Sequence, residues 1–106
     1  MICEGIRNKK GIDIIVINLM NILNAPCSFF VICTGTSQTH INAISNGVQD
    51  ILKEKLNLTK WKEEGKGSNW HLLDYSDIVI HILKEDTRDF YALEDLWKDG
   101  QLNEIT

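Results

Sequence analysis

Asp74 and Asp77 flank Tyr75 and Ser76 in the stretch Trp70-His-Leu-Leu-Asp-Tyr-Ser-Asp-Ile-Val-Ile-His81, where two apolar runs meet at a polar break. Two carboxylates this close are the residue types that hold a divalent metal for phosphoryl chemistry. If Tyr75 and Ser76 form a two-residue hairpin turn, Asp74 faces Asp77, Leu72 faces Val79 and Trp70 faces His81. On that register His71 and His81 point to opposite sides of a sheet and cannot share a metal. Like charges side by side are unfavourable without a cation or donor between them. The commoner role of such aspartates is to satisfy backbone donors at a turn, and Tyr-Ser is poor chemistry for the tightest hairpins. The stretch is therefore either a reactive cluster or an exposed recognition surface.

Other candidates are weaker. Thr34-Gly-Thr-Ser37 stands where a strand would pass into a helix, a place that can cradle phosphate. It has one glycine and no phosphate-loop lysine, so a plain cap and turn is the simpler reading. His40 sits in the first helical turn with no acid, base or nucleophile near it in sequence. Cys33 ends an apolar run and reads as a buried small hydrophobe. Glu85, Asp86, Asp89, Glu94, Asp95, Asp99 and Glu104 crowd the C-terminal part against Lys84, Arg88 and Lys98. Such a face is usually just solvated, and it equally suits docking on a basic protein.

The elements that must position these residues alternate in type. Residues 2–10 read as a helix that Gly11 ends. Ile12 to Leu19 is a β-branched run suited to a strand buried on both faces. Asn21 to Pro26 is a loop, and Phe29 to Thr34 a second strand. Thr36 or Ser37 caps a helix reaching Leu56, with Ile41, Ile44, Val48, Ile51 and Leu52 as its core stripe. Gly47 inside that helix costs about 1 kcal/mol against alanine, which a close packing contact would explain. Lys60 to Glu63 suits a strand at a sheet edge. After the loop Glu64 to Asn69, strands are expected at 70–74 and 77–83. A helix from Asp86 to Lys98 comes next, with Phe90, Leu93 and Trp97 on one face, and a tail after Gly100. The expectation is α/β: one domain over 1–100 and a tail over 101–106. A single mixed sheet of about five strands is flanked by helices.

Composition bounds the function. With 43% hydrophobic and 25% charged residues, 106 residues support one soluble domain with its own core. A net charge of -4 disfavours broad nucleic-acid binding, so no direct sequence-specific nucleic-acid contact is expected. Three cysteines without Cys-x-x-Cys spacing suit reduced thiols, not a zinc site or disulfide framework. No apolar run approaches the roughly 20 residues that span a bilayer, and no signal peptide is evident. A cytoplasmic protein with no membrane contact, metal or cofactor is expected.

Five blocks then carry a family resemblance. They are Ile14-Ile-Val-Ile-Asn-Leu19, Phe30-Val-Ile-Cys-Thr-Gly-Thr-Ser37, Trp70-His-Leu-Leu-Asp-Tyr75, Asp77-Ile-Val-Ile-His81 and Arg88-Asp-Phe-Tyr-Ala-Leu-Glu-Asp-Leu-Trp97. In order and spacing they resemble the ribosomal silencing factor family, also called Iojap, over nearly the whole chain. The resemblance implies a nucleotidyltransferase-like fold without a catalytic motif. It implies binding to protein fourteen of the large ribosomal subunit, blocked joining of the two subunits, and lowered translation. It places Trp70 at the partner contact, with Asp74 and Tyr75 beside it, and makes His81 structural support. The chain departs from the pattern in a shorter first helix, in Ser76 where glycine is common, and in Ser28-Phe29 where the family has aspartate-tyrosine.

A metal-dependent nucleotidyl- or phosphotransferase using Asp74 and Asp77 is the rival reading. Active enzymes of that fold carry a Gly-Ser pair followed closely by alternating carboxylates. Here Gly35 and Ser37 lie far before Asp74, and no Asp-x-Asp occurs. A third reading is a homodimeric scaffold, since sheet edges and exposed aromatics self-associate.

Overall fold

β-branched runs become strands here because their stiff side chains pack well on a pleated surface. The structure, a computed structural model, describes residues 2–23 and 25–93 and the backbone of 101–104. The strands are β1 (Ile12–Asn18), β2 (Phe29–Thr34), β3 (Lys62–Glu64), β4 (Trp70–Asp74), β5 (Ile78–Leu83) and β6 (Gln101–Glu104). They form one mixed sheet in the order β3-β4-β5-β2-β1-β6. Among the described residues only β2 and β5 run parallel, and the crossover such a pair requires contains the long helix. Gln101–Glu104 pairs with β1, so these residues form a sixth strand and not the expected tail. The exposed β1 edge offers unpaired backbone groups that this segment satisfies.

Helix α1 (Ile2–Asn8) and helix α2 (Gln38–Leu56) cover one sheet face. Ser37 caps α2 by accepting the His40 N–H at 3.1 Å, and Ile41, Ile44, Val48, Ile51 and Leu52 are buried as expected. Gly47 has its packing reason: a Cβ there would stand 2.7 Å from Lys9 Cγ and 3.3 Å from the Gly5 carbonyl oxygen. The two glycines let α1 and α2 touch backbone to backbone. His40 fastens the same junction. Its Nδ1 accepts the Thr36 N–H at 2.9 Å, so Nε2 carries the proton and donates to the Lys9 carbonyl at 2.8 Å. At the end of α1 the left-handed residue is Lys10 (φ 62), not Gly11. Gly11 is needed for room instead, since a Cβ would lie 2.3 Å from Ile6 Cγ2.

Helix α3 (Glu85–Tyr91) belongs to the other side of the sheet and is shorter than its sequence pattern predicts. Ala92 turns left-handed (φ 48), which breaks the helical periodicity before Leu93. Phe90 is thereby 81% exposed while Leu93 is buried, so the two do not share a core stripe. Residues 94–98 and Trp97, expected on this helix, lie outside the described residues. Arg88 is buried and donates to the Asp13 carbonyl at 2.7 Å and to Thr34 Oγ1 at 2.9 Å. Asp13 (φ 51) sits where the β1–β2 register slips, and Arg88 satisfies the carbonyl that this bulge turns out. No helix among the described residues is long and apolar enough to cross a membrane.

Candidate functional site

The β4–β5 turn decides what its aspartates do. Tyr75 N–H bonds the Ile78 carbonyl at 2.9 Å, so the turn residues are Ser76 and Asp77. Trp70 then pairs with Leu83, Leu72 with His81 and Asp74 with Val79. The register is two residues from the expected one, and Asp74 does not face Asp77. A shift of two keeps every side chain on its expected face. Asp74 Oδ1 accepts the Ser76 N–H at 2.7 Å, the backbone-satisfying role. The Asp77 carbonyl accepts the Ser28 and Phe29 N–H groups at 2.9 and 3.1 Å, docking the turn on the start of β2. Among the described residues no three His, Cys, Asp or Glu side chains are grouped to hold a metal ion.

Ser76 holds φ 73, a left-handed conformation that strains any residue with a Cβ. Ser76→Gly should raise unfolding stability by about 1 kcal/mol, read from the urea midpoint. An unchanged or lowered midpoint would count against this turn geometry.

Alternation divides β4. His71, Leu73 and Tyr75 face α2, while Trp70, Leu72 and Asp74 face the opposite side. On the helix side, His71 Nε2 meets the Glu63 carboxylate and stands 3.4 Å from Ser45 Oγ. Burial draws Glu63 upward, but the hydrogen bond and charge of His71, with Lys60 beside it, outweigh that and hold its carboxyl low. Tyr75 packs on the same core, and burial, with Glu63 adding to it, pushes its phenol up. Tyr75 is therefore not on the Trp70 face. Asp74 is, but about 13 Å further along the strand.

The Trp70 face carries a run of rings. Phe90 and Tyr91 stand 5.1 Å apart between centroids, Tyr91 and Trp70 4.8 Å, Trp70 and His81 5.9 Å, and His81 and Phe30 4.9 Å. The run passes from solvent into the core: Tyr91 is 49% exposed, Trp70 is half-buried, and His81 and Phe30 are buried. Trp70 Nε1–H donates to His81 Nδ1 at 3.1 Å. Burial lowers His81 to about 4, so at neutral pH it is an uncharged acceptor. Glu85, Asp86 and Asp89 stand on α3 beside Phe90, all three exposed. Burying Arg88 makes this face more acidic than the count of charges in sequence suggests.

Phe90 and Tyr91 escaped the sequence reading as surface aromatics, although neighbours on a helix point about 100° apart and cannot both enter one core. Trp61 also escaped it. It is 76% exposed at the sheet edge, its backbone N–H donating to the Asp74 carbonyl at 2.8 Å.

The remaining candidates are structural. A cavity of about 420 Å³ lies between Thr34–Thr36 and Glu85, Asp86 and Asp89. Its three carboxylates outnumber Lys84, the one cation lining it among the described residues, and repel phosphate, while the Gly35 and Thr36 N–H groups are spent on the Leu83 carbonyl and His40. Burial pushes the Cys33 thiol up to about 12 despite Arg88, which leaves it inert.

Comparison with known proteins agrees with the resemblance. Residues 1–106 match the family model described as ribosomal silencing factor during starvation. The ribosomal silencing factor of Halalkalibacterium halodurans is 30% identical over 102 residues, covering 96% of this chain and 86% of that one. A crystal structure of a Chromobacterium violaceum protein superposes with a TM-score of 0.84 at 33% identity, covering 94% of this chain and 82% of that one. The mouse mitochondrial assembly of ribosomal large subunit protein 1 is 32% identical over 99% of this chain and 49% of its own length.

Proposed function

Because this chain belongs to the ribosomal silencing factor family, we propose that it represses translation by binding protein fourteen of the large ribosomal subunit. Bound there, it bars the small subunit from joining. The observation that carries the reading is the aromatic run from Phe90 through Tyr91 to Trp70, open to solvent at one end and anchored in the core at the other. Rigid aromatics of this kind supply interface affinity at low entropic cost. Trp70 is the central contact of the proposed interface. Asp74, on the same face, extends it toward the turn end of β4, whereas Tyr75 packs on the opposite face and supports the strand from the core.

A net charge of -4, with Glu85, Asp86 and Asp89 beside the rings, suits a basic ribosomal protein and is repelled by bare RNA phosphate. The mouse relative's name supports the large subunit as the place of action. The work is steric. It needs a rigid body at the joining face, with no catalytic step and no cofactor, in the cytoplasm where subunits meet.

Light scattering on mixing purified subunits tests this. Saturating protein should suppress the joining signal and leave it unchanged when added with an excess of competing protein fourteen. Joining at the normal extent with the protein confirmed on the large subunit would refute the silencing mechanism.

A further inference from the structure

We propose that His81 is the positioning residue for Trp70, its Nδ1 holding the indole in the one orientation that the docking surface presents. The inference rests on the reading of the Trp70 face as that surface. The bond of 3.1 Å runs diagonally across the β4–β5 pair, since Trp70 lies directly opposite Leu83 and His81 opposite Leu72. His81 accepts it only as the neutral tautomer with its proton on Nε2, because a proton on Nδ1 sets donor against donor.

The fold imposes that state. The ring is 5% exposed, Phe30 of β2 stands edge-on to it, and Trp70 of β4 covers it; both neighbours are uncharged. Nε2 has no partner among the described residues, so the bond to Trp70 is what the imidazole adds over an apolar ring of the same shape. Trp70 itself is held on one side by Tyr91 and remains partly exposed. A partly exposed indole held only by packing can flip, and fixing its N–H removes that freedom before the partner arrives.

The test uses isotope-labelled full-length protein, His81→Phe and His81→Gln, each titrated with purified large ribosomal subunits. In the wild type the His81 ring should carry its proton on Nε2, and the Trp70 indole N–H should resist exchange with solvent. His81→Phe keeps a ring but removes the acceptor, so indole exchange should quicken about tenfold. Subunit affinity should fall about tenfold with it. His81→Gln restores an acceptor and should recover part of both. A wild-type His81 protonated on Nδ1 overturns the proposal and needs no variant to fold. Indole exchange untouched by His81→Phe overturns it too, as does wild-type affinity once the N–H is freed. If the wild type does not bind large subunits, the ribosome reading fails, and the tautomer and indole exchange still decide whether His81 holds Trp70.

Discussion

Trp70→Ala is expected to weaken binding to the large ribosomal subunit by about 2 kcal/mol or more, roughly thirtyfold in affinity, with the fold retained. The size of the effect comes from where the indole stands. It is the link between the exposed Tyr91 and the buried His81, so its removal breaks the aromatic run in the middle. Truncation also strips part of the apolar cover from the core cluster that contains Leu83, the residue directly opposite Trp70. A fully buried tryptophan would cost about 3–5 kcal/mol of stability on such truncation, and a half-buried one costs less. The loss of stability should therefore stay below the loss that unfolds a domain of this size. Sedimentation with separated subunits gives the affinity, and thermal unfolding followed by circular dichroism gives the stability. A folded variant that co-sediments at wild-type affinity would remove Trp70 from the interface.

The second large effect is acid destabilisation centred on His81. In the unfolded chain its imidazole titrates near 6.5, whereas burial lowers it to about 4 in the fold. As pH falls through 6.5 the unfolded chain takes up the proton and the folded one does not. Stability present above that pH is therefore lost progressively down to about 4. The loss amounts to about 2 kcal/mol by about pH 5 and about 3 kcal/mol in all. Protonation also turns Nδ1 from acceptor to donor, so the Trp70 bond opposes it further. Urea unfolding across this range should show a steep fall for the wild type and a shallower one for His81→Phe. Parallel curves would mean that His81 does not titrate as a buried group.

Much of the architecture was legible because it is encoded within a few residues. The β-branched runs 12–18 and 29–34 carry their own preference for a strand. Ser37 and the stripe from Ile41 to Leu52 mark a helix start and its buried face through contacts three and four residues apart. The five blocks placed the chain in its family, and that resemblance singled out Trp70 as a candidate partner contact. The β4–β5 register was not legible, because two registers differing by two residues place the same side chains on the same faces. Docking of the Asp77 carbonyl on Ser28 and Phe29, from a distant strand, favours one of them. The burial of Arg88 likewise needs the carbonyl of Asp13 and the hydroxyl of Thr34, both remote in sequence. So it is with the site. The resemblance singled out Trp70 as a candidate, but its partners His81 and Tyr91 come from another strand and from a helix. Periodicity and capping act over one or two turns of chain, and an orientation built from three separate elements exists only once the sheet has closed.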